Sequence, residues 1–146
     1  MATGDGASLE LQGWLYGVFS NWAPLQELLG TPARVYDRVP ADVVFPYVAI
    51  GEAEENADDV ECIDGSEHFL TCHVWTRDQG QQGKVEAKRI GTAMNAAIAA
   101  AVAAAPDLAT HRLQVFARGS ARYFDDQDGL TVHGVLIYRA LTEPKT

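Results

Sequence analysis

The segment HFLTCHVWTR (residues 68–77) is the clearest β-strand in the chain, because the character of its side chains alternates. Successive residues of a strand point to opposite faces of a sheet. One face receives a compact apolar set: Leu70, Cys72 and Val74. The other face receives a bulkier set: Phe69, Thr71, His73 and Trp75. Since both faces carry bulk, we predict that this strand lies inside a sheet or beneath a neighbouring subunit.

A long helix is predicted directly after this strand. The turn-rich connector DQGQQGK leads into KVEAKRIGTAMNAAIAAAVAAA (residues 84–105). Within it, apolar residues recur at helical spacing along one stripe: Ile90, Met94, Ala97, Ile98 and Ala101. Alanine is the best helix former, and its small side chain allows close approach to a sheet. Pro106 and Asp107 are predicted to end this helix.

An earlier helix is predicted near the start of the chain, with Ser8 as its N-cap. Its apolar residues recur at spacings of three or four: Leu11, Leu15, Val18, Trp22, Leu25 and Leu29. Pro24 is expected to bend this helix or to split it in two, and Gly30 with Pro32 to end it.

Four further segments read as strands: RVYDRV (34–39), YVAIGEA (47–53), HRLQVFARGSARYF (111–124) and TVHGVLIYRALTE (131–143). The DDQDG stretch between the last two predicts a tight hairpin turn. The predicted order is α-β-β-β-α-β-β. We therefore predict an α+β fold in a single domain, residues 1–146, with a small, mostly antiparallel sheet and helices packed on one of its faces.

Composition excludes several classes of function. The chain has 146 residues and a net charge of −9, so it lacks the clustered cations that binding to DNA phosphates requires. Its most apolar early segment is interrupted by Asn21, Pro24 and Glu27 and is too short to span a bilayer. The first residues lack a secretion signal, and only two cysteines are present. We expect a protein made in a reducing cytosol, without membrane association.

An acidic run extends from Glu52 to Glu67, with eight carboxylates and no lysine or arginine. The simplest interpretation is a solvated loop between two strands, extended and mobile because its charges repel one another. Alternatively, such runs repeated around a ring would form an acidic collar, which could pass DNA without binding it or meet a basic partner. The candidate residues for that role are Glu54, Glu55, Asp58 and Asp59.

No pattern of residues indicates catalysis, a metal or a cofactor. His68 and Cys72 would stand about 13 Å apart on a strand, at roughly 3.3 Å per residue, which is too far for one zinc ion. The acids of DDQDG do not match the spacing of a calcium loop, and GQQGKV lacks the serine or threonine of a phosphate loop. There is no nucleophile elbow of the G-x-S-x-G type. We expect a protein that is not an enzyme.

Nearly the whole chain, roughly residues 10–144, resembles the tail completion or tail terminator proteins of tailed bacteriophages and of phage-like gene transfer agents. The resemblance rests on RVYDRVP with FPYVAIGE, on HFLTCHVWTRDQG with EAKRIGTAMNAAI, and on HRLQVFARGSARYFDDQDGLTVHGVLIYRALTEP. These motifs are structural, so they imply no active site. They imply a small sheet with helices against it, in agreement with the order derived above.

The resemblance implies a structural virion protein, made in the host bacterial cytoplasm, that ends tail-tube growth as a ring, commonly of six, and offers the surface joined by the head. Its expected partners are further copies of itself, the tail tube protein and the head–tail connector proteins, with DNA passing through the ring unbound. Exposed apolar residues would suit the contact between subunits: Phe69, Trp75 and Phe116. These three residues would alternatively form a second small core under a helix.

Two other functions stay open on the sequence alone. A head–tail connector or neck protein of similar size would differ mainly in the neighbour that it contacts. A small hydrolase or ligand-binding protein would use the carboxylates of residues 52–67, and it would require one of them to be desolvated with a raised pKa.

Overall fold

The computed structural model describes residues 6–60, 63–77 and 83–145, without the side chains of Asp59, Val60 and Ile63. Residues 78–82, in the predicted connector, lie outside the described residues. The elements in chain order are α1 (Ala7–Ser20), α2 (Ala23–Leu29), β1 (Val35–Tyr36), β2 (Tyr47–Val60), β3 (Ile63–Arg77), α3 (Gly83–Ala103), β4 (His111–Asp125) and β5 (Thr131–Pro144). The α+β class is confirmed.

The five strands form one sheet in the order β1-β2-β3-β5-β4. The sheet is mixed, which corrects the prediction of a mostly antiparallel sheet: β1 pairs in parallel with β2, while the other three pairings are antiparallel. The parallel pair is short, joining only Val35 to Val48 and Tyr36 to Ala49. As predicted, β3 lies inside the sheet, between β2 and β5.

The N-terminal helical region contains two helices, so the element order differs from the predicted one. α1 ends at Ser20, and α2 begins at Ala23 with Pro24 in its first turn, where the missing N–H of proline breaks no helical hydrogen bond. The N-cap of α1 is Gly6 rather than Ser8. Gly6 has φ 93°, a backbone conformation that glycine adopts without steric cost.

All three helices bury their apolar stripes on the same face of the sheet, which we call the helix face. Leu11, Leu15, Leu25, Ile90 and Met94 belong to one buried cluster. The sheet contributes its alternate residues to that cluster: Val48, Ile50, Leu70, Cys72, Val74, Leu136, Tyr138 and Ala140. The prediction that helices pack on one face is therefore confirmed.

Two details hold the last helix and the last hairpin in place. Gly91 lets α3 lie against the sheet, because a Cβ there would overlap the hydroxyl of Tyr123. In the turn before β5, the Asp128 carboxylate accepts hydrogen bonds from the backbone N–H groups of Leu130 (2.9 Å) and Thr131 (2.8 Å). The Thr131 hydroxyl donates a third hydrogen bond to this carboxylate at 2.6 Å. The hydroxyl bond, followed by the two backbone bonds, lowers the pKa of Asp128 to about 2.

The acidic run forms strands, not the predicted loop. Residues Ala53–Val60 of β2 pair in antiparallel register with Ile63–Leu70 of β3. Inter-strand hydrogen bonds thus order the backbone despite the repulsion between its charges. We call this part of the sheet the acidic strand pair (residues 52–60 and 63–67).

Among the described residues, none of the helices combines the length and the apolar character that crossing a bilayer requires.

Candidate assembly surface

The sheet face opposite the helices is the candidate assembly surface, and we call it the open face. It carries the odd-numbered residues of β3 and β5, most of which are half-buried, whereas the even-numbered ones are almost all buried under the helices. Phe69 and Trp75 both lie on the open face. A sheet face with half-buried aromatic side chains and no helix over it is suited to contact with another protein.

Aromatic and imidazole rings form a continuous cluster on the open face. The ring of Trp75 stacks on that of His133, with centroids 3.7 Å apart and planes inclined by 11°. The Phe124 ring meets that of His133 edge-on, with centroids 5.0 Å apart, and the centroid of the His73 ring lies 4.9 Å from that of His133. His133 joins the rings from three strands because it lies on β5, between β3 and β4.

A chain of hydrogen bonds links this cluster to the first acid of the acidic run. His73 Nδ1 lies 2.7 Å from His133 Nε2, and His73 Nε2 lies 2.7 Å from Glu52 Oε1. An ionised carboxylate can only accept hydrogen bonds, so His73 donates its Nε2–H to Glu52. In the neutral tautomer that carries this proton, Nδ1 of His73 accepts a hydrogen bond from the Nε2–H of His133. The hydrogen bond from His73 lowers the pKa of Glu52, and burial lowers the pKa of His133.

Glu52 reaches His73 because the register of β2 with β3 shifts between Ile50 and Ala53. Such a bulge turns a side chain away from regular alternation. Gly51 leaves room for the contact, since a Cβ there would lie 2.6 Å from Cδ2 of His73.

The acidic strand pair presents exposed carboxylates at the sheet's edge. Glu54 lies opposite Phe69, Glu55 opposite His68 and Asp58 opposite Gly65. Residues 52–58 are all exposed. Within the described part of the chain, neither glutamate nor Asp58 has a salt bridge, whereas Glu67 receives one from Arg139 Nε at 2.6 Å. The backbone of Asp59 pairs with Asp64, and its side chain lies outside the described residues.

Phe116 lies apart from the other candidate residues. Its ring contacts Trp14 at 5.2 Å and Tyr138 at 5.5 Å between centroids, on the helix face. It is half-buried and packs against the main core. The structure therefore brings Glu54, Phe69 and Trp75 to one face and places Phe116 on the opposite one.

Sequence reasoning missed the ring cluster and the arginines of β4. His73 and His133 are sixty residues apart, and only the register of β3 with β5 brings them together. Arg118 and Arg122 lie four residues apart on the outer strand β4 and are both exposed. The sequence did contain a signal for them, because both arginines fall within one predicted strand and would lie along the same sheet edge if that strand is the outer one.

The described residues contain no group of three His, Cys, Asp or Glu side chains placed to hold a metal ion. A groove of about 650 Å³ lies between α2 and α3 and is lined by Trp22, Leu28, Val85 and Ala93, among others. It is not lined by the histidines or by the acidic strand pair. Ring stacking and mutual hydrogen bonding account for the histidine cluster without a ligand.

The family model described as tail completion protein gp17 matches residues 15–143. The chain belongs to this family. The resemblance to tail completion proteins of tailed phages and gene transfer agents is therefore confirmed, and with it the role of a structural tail component. No protein with a curated description matches the sequence.

Two solved structures are similar to this tail completion protein over nearly its whole length. One is a chain of the virion of a native gene transfer agent particle, with a TM-score of 0.81 and 25% identity, covering 96% of this chain and 99% of that one. The other is the gp17 protein of bacteriophage SPP1, with a TM-score of 0.57 and 20% identity, covering 96% and 95%. The second likeness concerns the fold alone.

Proposed function

We propose that this protein ends the growth of a tail tube as a closed ring, commonly of six subunits, and that the ring's other surface joins the head. The observation that carries the proposal is the match of the tail completion family over residues 15–143. A ring at a tube end needs a subunit with two unlike surfaces, and the half-buried rings of the open face together with the exposed acids of the sheet edge supply them.

The acidic strand pair would give the ring its passage for DNA. Asp58 is exposed and without a salt bridge among the described residues, so it would repel the phosphates of a passing duplex. DNA would then move through the ring without binding. In this proposal, the protein is made in the host cytoplasm and enters the particle when a tube reaches its final length.

The protein acts, in this proposal, through contacts and not as an enzyme. Its histidine cluster donates and accepts within itself: His73 bonds to both His133 and Glu52, and Trp75 covers the His133 ring. General acid–base catalysis requires a group positioned toward a substrate in a pocket. The cavities found among the described residues are lined by none of these four side chains.

Deletion of the gene in the producing strain tests this function. We expect tails of uncontrolled length and heads without tails in electron micrographs, both restored by a copy of the gene supplied in trans. Tails of normal length joined to heads in the deletion strain would refute the proposal. Tails of normal length without heads would instead favour a head–tail connector.

The role of the acids is tested by reversing Glu54, Glu55, Asp58 and Asp59 together to lysine. We expect a subunit that stays folded by circular dichroism but fails in partner docking or DNA transfer. Unchanged transfer by that variant would show that these acids only solvate the strands.

A further inference from the structure

The sheet has two free edges, and each exposes backbone groups. β1 covers only Val48 and Ala49 of β2, so within the described residues β2 has no outer partner from Ile50 to Val60. β4 is the last strand on the other side and pairs only with β5. Unpaired N–H and C=O groups along an edge are a template for another strand.

The two edges carry opposite charge. From position 50 to 60, β2 has five carboxylates and no cation: Glu52, Glu54, Glu55, Asp58 and Asp59. β4 carries three arginines, Arg112, Arg118 and Arg122, and its one acid, Asp125, is held by Lys84 at 3.1 Å. Arg112 has a partner in Glu143 at 3.7 Å. Arg118 and Arg122 have no salt bridge within the described part of the chain.

The acids of β2 and the arginines of β4 also lie on matching faces of the sheet. Glu54 pairs with Phe69 and Arg122 with Val135, so both side chains lie on the open face. Glu55 pairs with the buried His68, and Arg118 with the buried Tyr138, so both lie on the helix face. A register that sets Glu54 opposite Arg122 therefore keeps each carboxylate on the same side as an arginine. Diagonal neighbours two residues away are still within reach of arginine.

The strand directions suit a rotational ring. β2 is antiparallel to β3, β3 to β5, and β5 to β4, so β4 runs opposite to β2. A copy rotated about an axis along the strands presents its β2 antiparallel to β4 of its neighbour, and the sheet continues. Pairing of like edges, β2 with β2 or β4 with β4, sets like charges against each other. The contact is therefore head-to-tail, and head-to-tail contacts form a closed ring when the rotation between neighbouring copies closes.

The backbone of β4 is accessible where the contact would form. Gly119, Ser120 and Ala121 are exposed, and their small side chains leave the strand edge open between the two arginines. Glycine is required at position 119, because a Cβ there would lie 2.8 Å from the carbonyl oxygen of Ile137. The register of β4 with β5 shifts between Arg118 and Ala121, so β4 has one extra residue there and these two arginines lie on opposite faces of the sheet.

We propose that subunits of the ring join by strand addition, with residues 53–58 of β2 in one copy pairing with residues 117–123 of β4 in the next. This inference rests on the proposed ring function and specifies its interface. The occupant of each sheet edge is a second copy of this chain, held by backbone hydrogen bonds and by the pairs of Glu54 with Arg122 and Glu55 with Arg118.

Two charge-reversed variants test the interface. The first is Glu54→Arg with Glu55→Arg, and the second is Arg118→Glu with Arg122→Glu. Each alone has like charges on both edges, so the fraction of capped tail tubes should fall about tenfold or more. Mixed together, they can alternate around an even-numbered ring with every edge complementary, and capping should return. Lys88→Glu with Arg89→Glu is the matched control, since it reverses two exposed charges on α3 and should cap normally.

Cross-linking gives a second readout. In a Cys62→Ser background, Asn56→Cys and Ser120→Cys place one thiol on each edge, opposite each other in the proposed register. Mild oxidation of capped tubes should give a ladder of linked subunits ending at the ring. Capped tubes without a ladder, and variants whose mixture stays inactive, would overturn the interface while the proposed function stands. Wild-type protein that never caps tubes would overturn the function, and this inference with it.

Discussion

Replacement of Phe116 by alanine should destabilise the folded subunit, whereas Phe69→Ala should leave it folded and impair assembly. Phe116 is half-buried on the helix face, with Trp14 at 5.2 Å and Tyr138 at 5.5 Å. Phe69 is half-buried on the open face, opposite Glu54 and Arg139. The two phenylalanines therefore separate a contribution to the core from a contribution to the surface.

The expected loss for Phe116→Ala follows from its contacts. Full burial of phenylalanine contributes about 1.5–3 kcal/mol, so a half-buried ring contributes about 1–1.5 kcal/mol. Two aromatic pairs add about 1–2 kcal/mol together. The free energy of unfolding should thus fall by about 2–3.5 kcal/mol. At about 2–4 °C per kcal/mol for a domain of this size, Tm should drop by about 4–14 °C.

Urea unfolding followed by circular dichroism measures this loss, and Trp14 fluorescence reports locally on the same contact. Phe69→Ala should lose only about 1 kcal/mol, because its ring leaves no cavity in the main core. Its defect should appear in tube capping. A stable Phe116→Ala subunit that fails to cap, or a Phe69→Ala subunit that unfolds like the Phe116 variant, would refute this division of the two faces.

Gly91→Ala should destabilise the subunit, because overlap with the Tyr123 hydroxyl costs about 1–3 kcal/mol and outweighs a helix-propensity gain of about 1 kcal/mol. In a Tyr123→Phe background the loss in urea unfolding should shrink by about 1 kcal/mol, and equal losses in both backgrounds would contradict the contact. Burial lowers the pKa of His68 and of His133, so the folded state favours their neutral forms. Their contribution to stability should be complete above the ordinary pKa of 6.5 and decline as the pH falls below it. Thermal melts from pH 8 to pH 5 measure this, and a Tm that rises on acidification would oppose it.

The local pattern of apolar residues was sufficient to predict β3 and α3. The alternation of residues 68–77 placed Leu70, Cys72 and Val74 together on one face, and the structure buries all three. Of the predicted stripe, Ile90, Met94, Ala97 and Ile98 are buried in α3, and Ala101 is half-buried. In both cases the period of the apolar residues reflects a single packed face.

The acidic run was predicted wrongly because its order comes from a partner strand. Aspartate, asparagine, glutamate and alanine are depleted in strands, so residues 52–60 read as a loop. Pairing of Ala53–Val60 with Ile63–Leu70 overrides that propensity. The parallel contact of Val35 with Val48 was also not predicted, because the sequence of a two-residue strand does not indicate whether it pairs in parallel or antiparallel.

The candidate residues could be named from the sequence but not assigned to faces. Phe69 and Phe116 are both aromatic residues in predicted strands, and only tertiary packing puts them on opposite sides of the sheet. The shifts in register along β4 interrupt its alternation, which conceals the face of Arg118 and Arg122 in the sequence. The contrast between an acidic and a basic edge appears only when the strand order is known.

Growth of tail tubes from purified tube protein, with and without this protein, measures termination itself. Negative-stain images should show tubes that stop lengthening once the protein is added, each with ring-shaped density at one end. Light scattering of the same samples gives the mass added per tube, which should equal one ring. Tubes that keep growing with bare ends in an excess of folded protein would contradict the proposal that this tail completion protein closes the tube.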